Sequence, residues 1–190
     1  MRFYQVNDFD NLAEIFASVG VDRKTDAFSC LGTTKKQAGS SETFRKIDHD
    51  YNVNFAKLCR EGGAENFFLL SSMNADIESR FLYNRIKAET EQSIMALDFA
   101  QLVIFRPSLL LGKHKGRPLE SLGQKAFKLI SPLVSESLSL HPISAKRVAS
   151  AMAMSAHDIY ERSKYRTEPM VKATHIIENK QMLTMTRVKS

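Results

Sequence analysis

Four short runs of apolar residues alternate along the chain with longer segments of helical period, and this alternation restricts the fold more than any other feature. The later runs are apolar without a break, which is typical of strands that are covered on both faces of a sheet. Strands that alternate with helices in this way predict a parallel sheet with helices on both sides. We therefore expect an α/β fold. The predicted strands are Phe3 to Val6, Ala27 to Leu31, Phe67 to Leu70 and Leu102 to Phe105.

Helical spacing of apolar residues predicts the segments between these strands. Asn11 to Val19 reads as one helix and Phe81 to Leu97 as another, longer one. Between them, Asp48 is placed as the N-cap of a helix that Gly62 and Gly63 terminate. Beyond Gly112 the sequence predicts further elements, namely helices at Pro118 to Ile130 and Val148 to His157 and strands at His141 to Ile143 and Thr174 to Ile177.

Length and composition favour one domain over residues 1–190. The chain has 190 residues and is 43% hydrophobic, enough for one core. Its net charge is +6, but the basic residues are scattered and are not interleaved with stacking aromatics, so we expect no nucleic-acid partner. His49 lies between Asp48 and Asp50 without a second histidine at ligand spacing, so no metal site is predicted.

The cysteines and the N-terminus give indications of the cellular compartment of the protein. Cys30 and Cys59 are far apart and outside any CxxC spacing, which indicates a reducing environment, and Cys30 is expected to be packed on its strand. The N-terminus lacks an apolar signal segment, and no apolar run has the length of a membrane span. These features predict a soluble, cytoplasmic protein without a transmembrane segment.

Polar or glycine-containing segments follow three of the predicted strands. Gly32 to Thr34 follow one strand, Ser71 and Ser72 the next, and Ser108 to Gly112 the last. Ligands of open α/β sheets bind beyond the carboxyl ends of the strands. We therefore expect these three segments to face one crevice.

A tyrosine and a lysine lie four residues apart on the helix that follows the two serines. Tyr83 and Lys87 then share one helix face, one turn apart. An ammonium beside a phenol favours the phenolate, and Ser72 is placed to donate a second hydrogen bond to the same substrate oxygen, which suits the reduction of a carbonyl. Taken singly, each residue has a simpler interpretation: Tyr83 as a partly buried helix residue, Lys87 as its solvated neighbour, and the serines as a strand terminus.

The order of CLGTT, FFLLSS, FLYNRIKAE and FRPSLLLG resembles the short-chain dehydrogenase/reductase superfamily. More narrowly, it is similar to the atypical branch that contains the Tat-interacting-protein oxidoreductases and their fungal mitochondrial relatives. The segments KIDHDYN and SRFLY extend the resemblance over residues 4–155, and residues 156–190 form a polar, basic C-terminal segment. The resemblance implies a Rossmann-like fold and an NADPH-dependent oxidoreductase that acts on a small carbonyl substrate.

The resemblance also implies roles for individual residues. Tyr83 matches the catalytic tyrosine, Lys87 the lysine that binds the nicotinamide ribose, and Ser72 the catalytic serine, with Ser71 as the alternative. Six further positions match residues near the cofactor. These are Leu31 and Gly32 beside the adenosine and ribose, Asp8 with Phe9 beside the adenine, and Leu110 and Arg117 near the nicotinamide and phosphates.

The chain departs from this family in one respect, because it contains no GxxGxxG loop and begins where the family's third strand is expected. The fold is therefore expected to be N-terminally truncated, with weak binding of NADP(H) and an exposed sheet edge through which the chain forms a homodimer. The alternative interpretation is a non-enzymatic regulator that binds proteins in nuclear import, transcription or apoptosis control. The nuclear envelope and the mitochondrial outer surface are then the alternative locations.

Overall fold

The computed structural model describes residues 4–6, 9–111, 140–165 and 171–187. In these ranges a 3-10 turn at Phe9–Asn11 and a π-helical segment at Lys46–Asp50 accompany the regular elements. The helices are α1 (Leu12–Ser18), α2 (Lys35–Ala38), α3 (Ser41–Arg45), α4 (Tyr51–Glu61), α5 (Leu82–Met95), α6 (Ala145–Lys164) and α7 (Asn179–Met185). The strands are β1 (Asp26–Ser29), β2 (Asn66–Leu70), β3 (Gln101–Arg106), β4 (Leu110–Leu111), β5 (Ile143–Ser144) and β6 (Ala173–Glu178).

Four of the strands form one sheet in the order β1-β2-β3-β6, and every neighbouring pair is parallel. Phe67 of β2 is the register partner of Ala27 on one side and of Leu102 on the other. Parallel neighbours need a crossover connection, which α4 supplies between β1 and β2 and α5 between β2 and β3. The α/β class and the parallel sheet are thereby confirmed. A short parallel pair, β4 with β5, lies apart from this sheet.

Each face of the sheet has its own apolar core. On one face Phe67, Leu69, Leu102 and Ile104 are buried against residues of α4 and α5. Because side chains alternate along a strand, Phe68, Val103 and Phe105 point to the opposite face and are buried against α6 and α7. The two-sided burial explains the unbroken apolar runs of β2 and β3 in the sequence. None of the helices in the described ranges combines the length and apolar character that a bilayer span requires.

The structure corrects the predicted role of Asp48. The helical stretch begins at α3, where the Ser40 hydroxyl accepts a hydrogen bond from the backbone N–H of Thr43. It continues through the π-helical segment into α4, so Asp48 lies inside the helical stretch and is fully buried. An aspartate ahead of an apolar periodic segment has the pattern of a cap, but the earlier serine takes that position.

Other boundaries also differ from the prediction. Residues 4–6, the described part of the predicted Phe3 to Val6 strand, have no regular structure. The strand expected at His141 to Ile143 is instead Ile143–Ser144. The sequence did not indicate α7, and the helix expected at Pro118 to Ile130 lies outside the described residues. The end of α4 at Gly62 and Gly63 is confirmed.

Candidate active site

A cleft of about 650 Å³ opens at the carboxyl ends of β1, β2 and β3. All three segments that were expected to face one crevice contribute to its wall, although Leu111 does not line it and Gly112 lies outside the described residues. The topology explains this convergence, because the carboxyl ends of parallel neighbours lie at the same edge of the sheet. The lining residues are Cys30, Leu31, Gly32, Thr33, Thr34, Asp48, Leu70, Ser71, Ser72, Met73, Tyr83, Lys87, Pro107, Ser108, Leu109 and Leu110.

Tyr83 and Lys87 lie on the face of α5 that borders the cleft. Tyr83 is in the first turn of the helix, is 42% exposed, and has its ring 5.9 Å from that of Phe44. Lys87 is buried, and its Nζ lies 5.9 Å from the centroid of the Tyr83 ring. The predicted arrangement of the pair on one helix face is therefore present, but Lys87 is not a solvated neighbour.

The partner of Lys87 is Asp48. Lys87 Nζ lies 2.8 Å from Asp48 Oδ1, and the side chains are 8% and 1% exposed. Asp48 Oδ2 accepts a hydrogen bond of 2.8 Å from the backbone N–H of Thr33, so the same carboxylate binds the loop after β1. A Cβ on Gly32 would lie 3.3 Å from Asp48 Oδ1 and 3.5 Å from Lys87 Nζ. The ion pair therefore packs closely against the backbone of this loop.

The two serines after β2 differ in their hydrogen bonding. The Ser71 hydroxyl donates to Glu91 Oε1, and its backbone N–H donates to the Phe105 carbonyl at 2.8 Å. The Ser72 hydroxyl is buried and has no hydrogen-bond partner within the described ranges. A buried hydroxyl without a partner is costly, and it is explained where a ligand supplies the missing hydrogen bond. Of the two serines, Ser72 is the one with an available hydroxyl at the cleft.

Behind the serines lies a second ion pair, between the buried Glu91 and the partly buried Arg106, which the sequence did not indicate. Arg106 Nη2 is 2.5 Å from Glu91 Oε2, and Arg106 Nε donates to Glu91 Oε1 at 3.0 Å. The hydrogen bond to Glu91 is the largest of the effects that raise the pKa of the Arg106 guanidinium. The available signal was spacing, because Glu91 follows Lys87 by four residues on α5 and so shares its helix face.

Only some of the residues expected near the cofactor are found at the cleft. Leu31, Gly32 and Leu110 line the cleft, whereas Asp8 and Arg117 lie outside the described residues. No group of three potential metal-ligating side chains occurs in the described ranges.

Cys30 differs from the expectation of a packed strand residue, because it follows the end of β1, is exposed and lines the cleft. Partial burial nevertheless raises the pKa of its thiol. Cys59 lies in the core, where burial raises the pKa of the thiol to about 12. Both thiols are thus mainly protonated at neutral pH.

A family model described as HIM1 matches residues 15–136. The chain belongs to the HIM1 family. Three relatives illustrate the family. The chain is 43% identical over 97 residues to protein fmp52, mitochondrial, of Emericella nidulans (50% of this chain, 42% of that protein). It is 35% identical over 147 residues to protein FMP52-1, mitochondrial, of Scheffersomyces stipitis (76% and 63%) and 42% identical over 125 residues to protein HTATIP2 of Rattus norvegicus (65% and 50%).

These HIM1 relatives confirm the resemblance to the Tat-interacting proteins and their fungal mitochondrial counterparts. The chain spans between 42% and 63% of the length of these three relatives. The expected cytoplasmic location is wrong by this comparison, because the fungal relatives are named as mitochondrial proteins. The expectation rested on cysteine usage and on the N-terminus, and neither distinguishes one reducing compartment of the cell from another.

Solved structures support the fold of this HIM1 chain. A UDP-N-acetylglucosamine 4-epimerase from Bacillus cereus superposes with a TM-score of 0.60 at 15% identity, over 92% of this chain and 64% of that one. A dTDP-4-dehydrorhamnose reductase from Bacillus anthracis, solved in complex with NADP, superposes with a TM-score of 0.58 at 13% identity, over 96% and 68%. At these identities the likeness concerns the fold, which is that of the Rossmann-like reductases.

Proposed function

We propose that the chain is the catalytic portion of an NADPH-dependent oxidoreductase that reduces a small carbonyl compound. The observation that carries the proposal is the Ser72 hydroxyl, which is buried, has no hydrogen-bond partner among the described residues and lies at the same cleft as the phenol of Tyr83. Two hydroxyl donors at one cleft are suited to hold a carbonyl oxygen. The Rossmann-like fold, with the cleft at the carboxyl ends of its strands, adds support.

The residues of the cleft fit one end of a nicotinamide dinucleotide. Lys87 is placed to hold the nicotinamide ribose beside Tyr83, and Leu31 and Gly32 line the same cleft. The described residues offer less support for binding of the phosphate end of the cofactor. Among the described lining residues Lys87 is the one cation, and it is paired with Asp48. We therefore expect weak binding of the cofactor by the described residues.

When bound, the reduced cofactor supplies hydride to the carbonyl carbon. Ser72 donates a hydrogen bond to the carbonyl oxygen and so stabilises the negative charge that develops there. Tyr83 donates its phenolic proton to that oxygen, which yields the alcohol and a phenolate. Lys87, one helix turn away, places a positive charge near the phenolate, and Asp48 fixes the position of that charge.

Titration of the purified chain with NADPH, followed by nicotinamide fluorescence, tests the proposal. We expect saturable binding that Lys87→Ala weakens and that Lys57→Ala, on the exposed side of α4, leaves unchanged. Because Lys87→Ala leaves the Asp48 carboxylate buried without its partner, the variant Asp48→Asn/Lys87→Met provides a version in which both charges are removed together. Tyr83→Phe is expected to lower kcat for a carbonyl substrate by about 100-fold or more with little change in binding.

The second candidate function is a protein-binding regulator without enzymatic activity. The pairing of Lys87 with Asp48 favours it, because no other cation in the described lining is available for a phosphate group. A flat NADPH titration of the folded chain would rule out the oxidoreductase and leave this candidate.

A further inference from the structure

Glu91 is the third member of a polar row on α5. Tyr83, Lys87 and Glu91 follow one another at intervals of four residues, so all three side chains lie on one face of the helix. Glu91 is 2% exposed and lies beyond the part of the row that borders the cleft. The proposed reaction involves Tyr83 and Lys87 but assigns no role to Glu91.

The contacts of Glu91 join the helix to the strand that carries the serines. Its carboxylate accepts two hydrogen bonds from the Arg106 guanidinium at the end of β3, in a bidentate arrangement that defines both distance and angle. The same carboxylate accepts a hydrogen bond from the hydroxyl of Ser71, the residue immediately before Ser72. Arg106 Nη1 also lies 3.5 Å from the Glu178 carboxylate at the end of β6. One buried carboxylate therefore connects α5 to the ends of β2 and β3.

This geometry constrains the two groups that the proposed reaction needs. Tyr83 moves with α5, and Ser72 moves with the segment after β2. The Ser72 hydroxyl has no hydrogen bond of its own within the described ranges, so its position depends on the backbone that Ser71 holds. The Glu91 contacts determine the rotation of α5 about its axis, and its position along that axis, relative to the backbone that carries the serines.

We propose that Glu91, with Arg106, is a positioning residue that sets the separation between the Ser72 and Tyr83 hydroxyls. The inference rests on the proposed function. A stabilising ion pair alone would make a different prediction, since a buried pair is often replaceable by apolar residues of similar volume without loss of stability. A variant that remains folded without the ion pair therefore distinguishes a positioning role from a purely stabilising role.

The test compares Glu91→Met/Arg106→Met with the wild-type chain. The double variant is expected to fold, and its kcat for a carbonyl substrate is expected to fall about 100-fold while KM and NADPH affinity change less than about threefold. Glu91→Gln, which keeps the volume and an acceptor for Ser71, is a second variant and is expected to lose kcat to a smaller extent. The matched control is Arg45→Met/Glu89→Met, which removes an ion pair between α3 and the more exposed side of α5 and is expected to keep wild-type kcat.

Wild-type kcat in the folded double variant would overturn the positioning role. If the wild-type chain shows no carbonyl reduction, the proposed function fails, and crystal structures of the wild type and of both variants decide the positioning role separately. The proposal then requires the separation between Ser72 Oγ and Tyr83 Oη to change by about 1 Å or more, a displacement large enough to impair a reaction geometry. An unchanged separation in both variants would refute it.

Discussion

At the scale of single residues, two buried carboxylates, one at the cleft and one behind it, are each paired with a cation. Asp48 neutralises Lys87, and Glu91 neutralises Arg106. Burying a charge is expensive unless a partner and further hydrogen bonds compensate for lost water, and both carboxylates have such additional donors, Thr33 N–H and the Ser71 hydroxyl. Removal of one partner from either pair is therefore expected to lower the free energy of unfolding more than the same change in a surface ion pair.

The variant Asp48→Ala tests this sensitivity. It leaves the Lys87 ammonium buried without a counter-ion and the Thr33 N–H without its acceptor, so we expect the free energy of unfolding to fall by about 3–5 kcal/mol. Urea denaturation at neutral pH measures the change. Asp50→Ala is the matched control in the same π-helical segment, because the Asp50 side chain is 55% exposed and contacts the neighbouring His49. A loss for Asp48→Ala no larger than that of the control would contradict the buried ion pair.

At the scale of elements, the end of α4 was predicted correctly, whereas the start of its helical stretch was not. Gly62 and Gly63 end α4, and the backbone N–H of Gly63 donates to the Arg60 carbonyl at 3.1 Å. Gly63 has φ of 104°, which side chains with a Cβ rarely adopt. The start of the same helical stretch was placed at Asp48 instead of Ser40, because several polar residues ahead of an apolar segment each have the chemistry of a cap.

Gly63→Ala tests the requirement for glycine at this turn. A Cβ at position 63 would have its nearest neighbour at 3.8 Å, so the cost comes from the backbone and not from a clash. We expect the free energy of unfolding to fall by about 1–3 kcal/mol. Glu61→Ala, in the exposed last position of α4, is the control and is expected to change stability little. Equal stability of the two variants would show that Gly63 adopts another conformation in solution.

At the scale of the whole molecule, the sheet has one edge that presents an aromatic residue. Among the described strands, β1 pairs on one side only, with β2. Phe28 of β1 stacks on Phe68 with ring centroids 4.5 Å apart and is 41% exposed, whereas Phe68 is buried against α6 and α7. An unpaired edge strand with an exposed apolar side chain favours association with another chain.

We therefore expect the purified chain to self-associate through β1 as its concentration rises. Phe28→Lys places a charge at this edge and should weaken the association by about tenfold or more, as measured by sedimentation velocity. Tyr160→Lys is the control, because it replaces a 57% exposed aromatic residue on α6 with the same charged residue. A chain that stays monomeric at every concentration, or an equal effect of the two variants, would contradict the prediction.

Local spacing was sufficient to predict several features of this protein. Unbroken apolar runs identified β2, β3 and the parallel sheet, and the helical period of 3.6 identified α5 and placed Tyr83 and Lys87 on one helix face. Such patterns depend on neighbours a few residues apart, so they can be read directly from the chain. The same local patterns favoured Ser72 over Ser71 without indicating the partner of either hydroxyl, and they assigned Asp48 to a cap.

Only the folded chain shows the partners of Asp48 and Ser71, since both depend on contacts between elements. Asp48 turns inward because α5 brings Lys87 next to it, and Ser71 is engaged because Glu91 of α5 meets Arg106 of β3 beside the end of β2. No local sequence pattern indicates these pairings, because each of these polar side chains would be equally stable if it were exposed to water at the surface. It is the packing of α5 on the sheet that excludes water from these charges and makes each depend on the other.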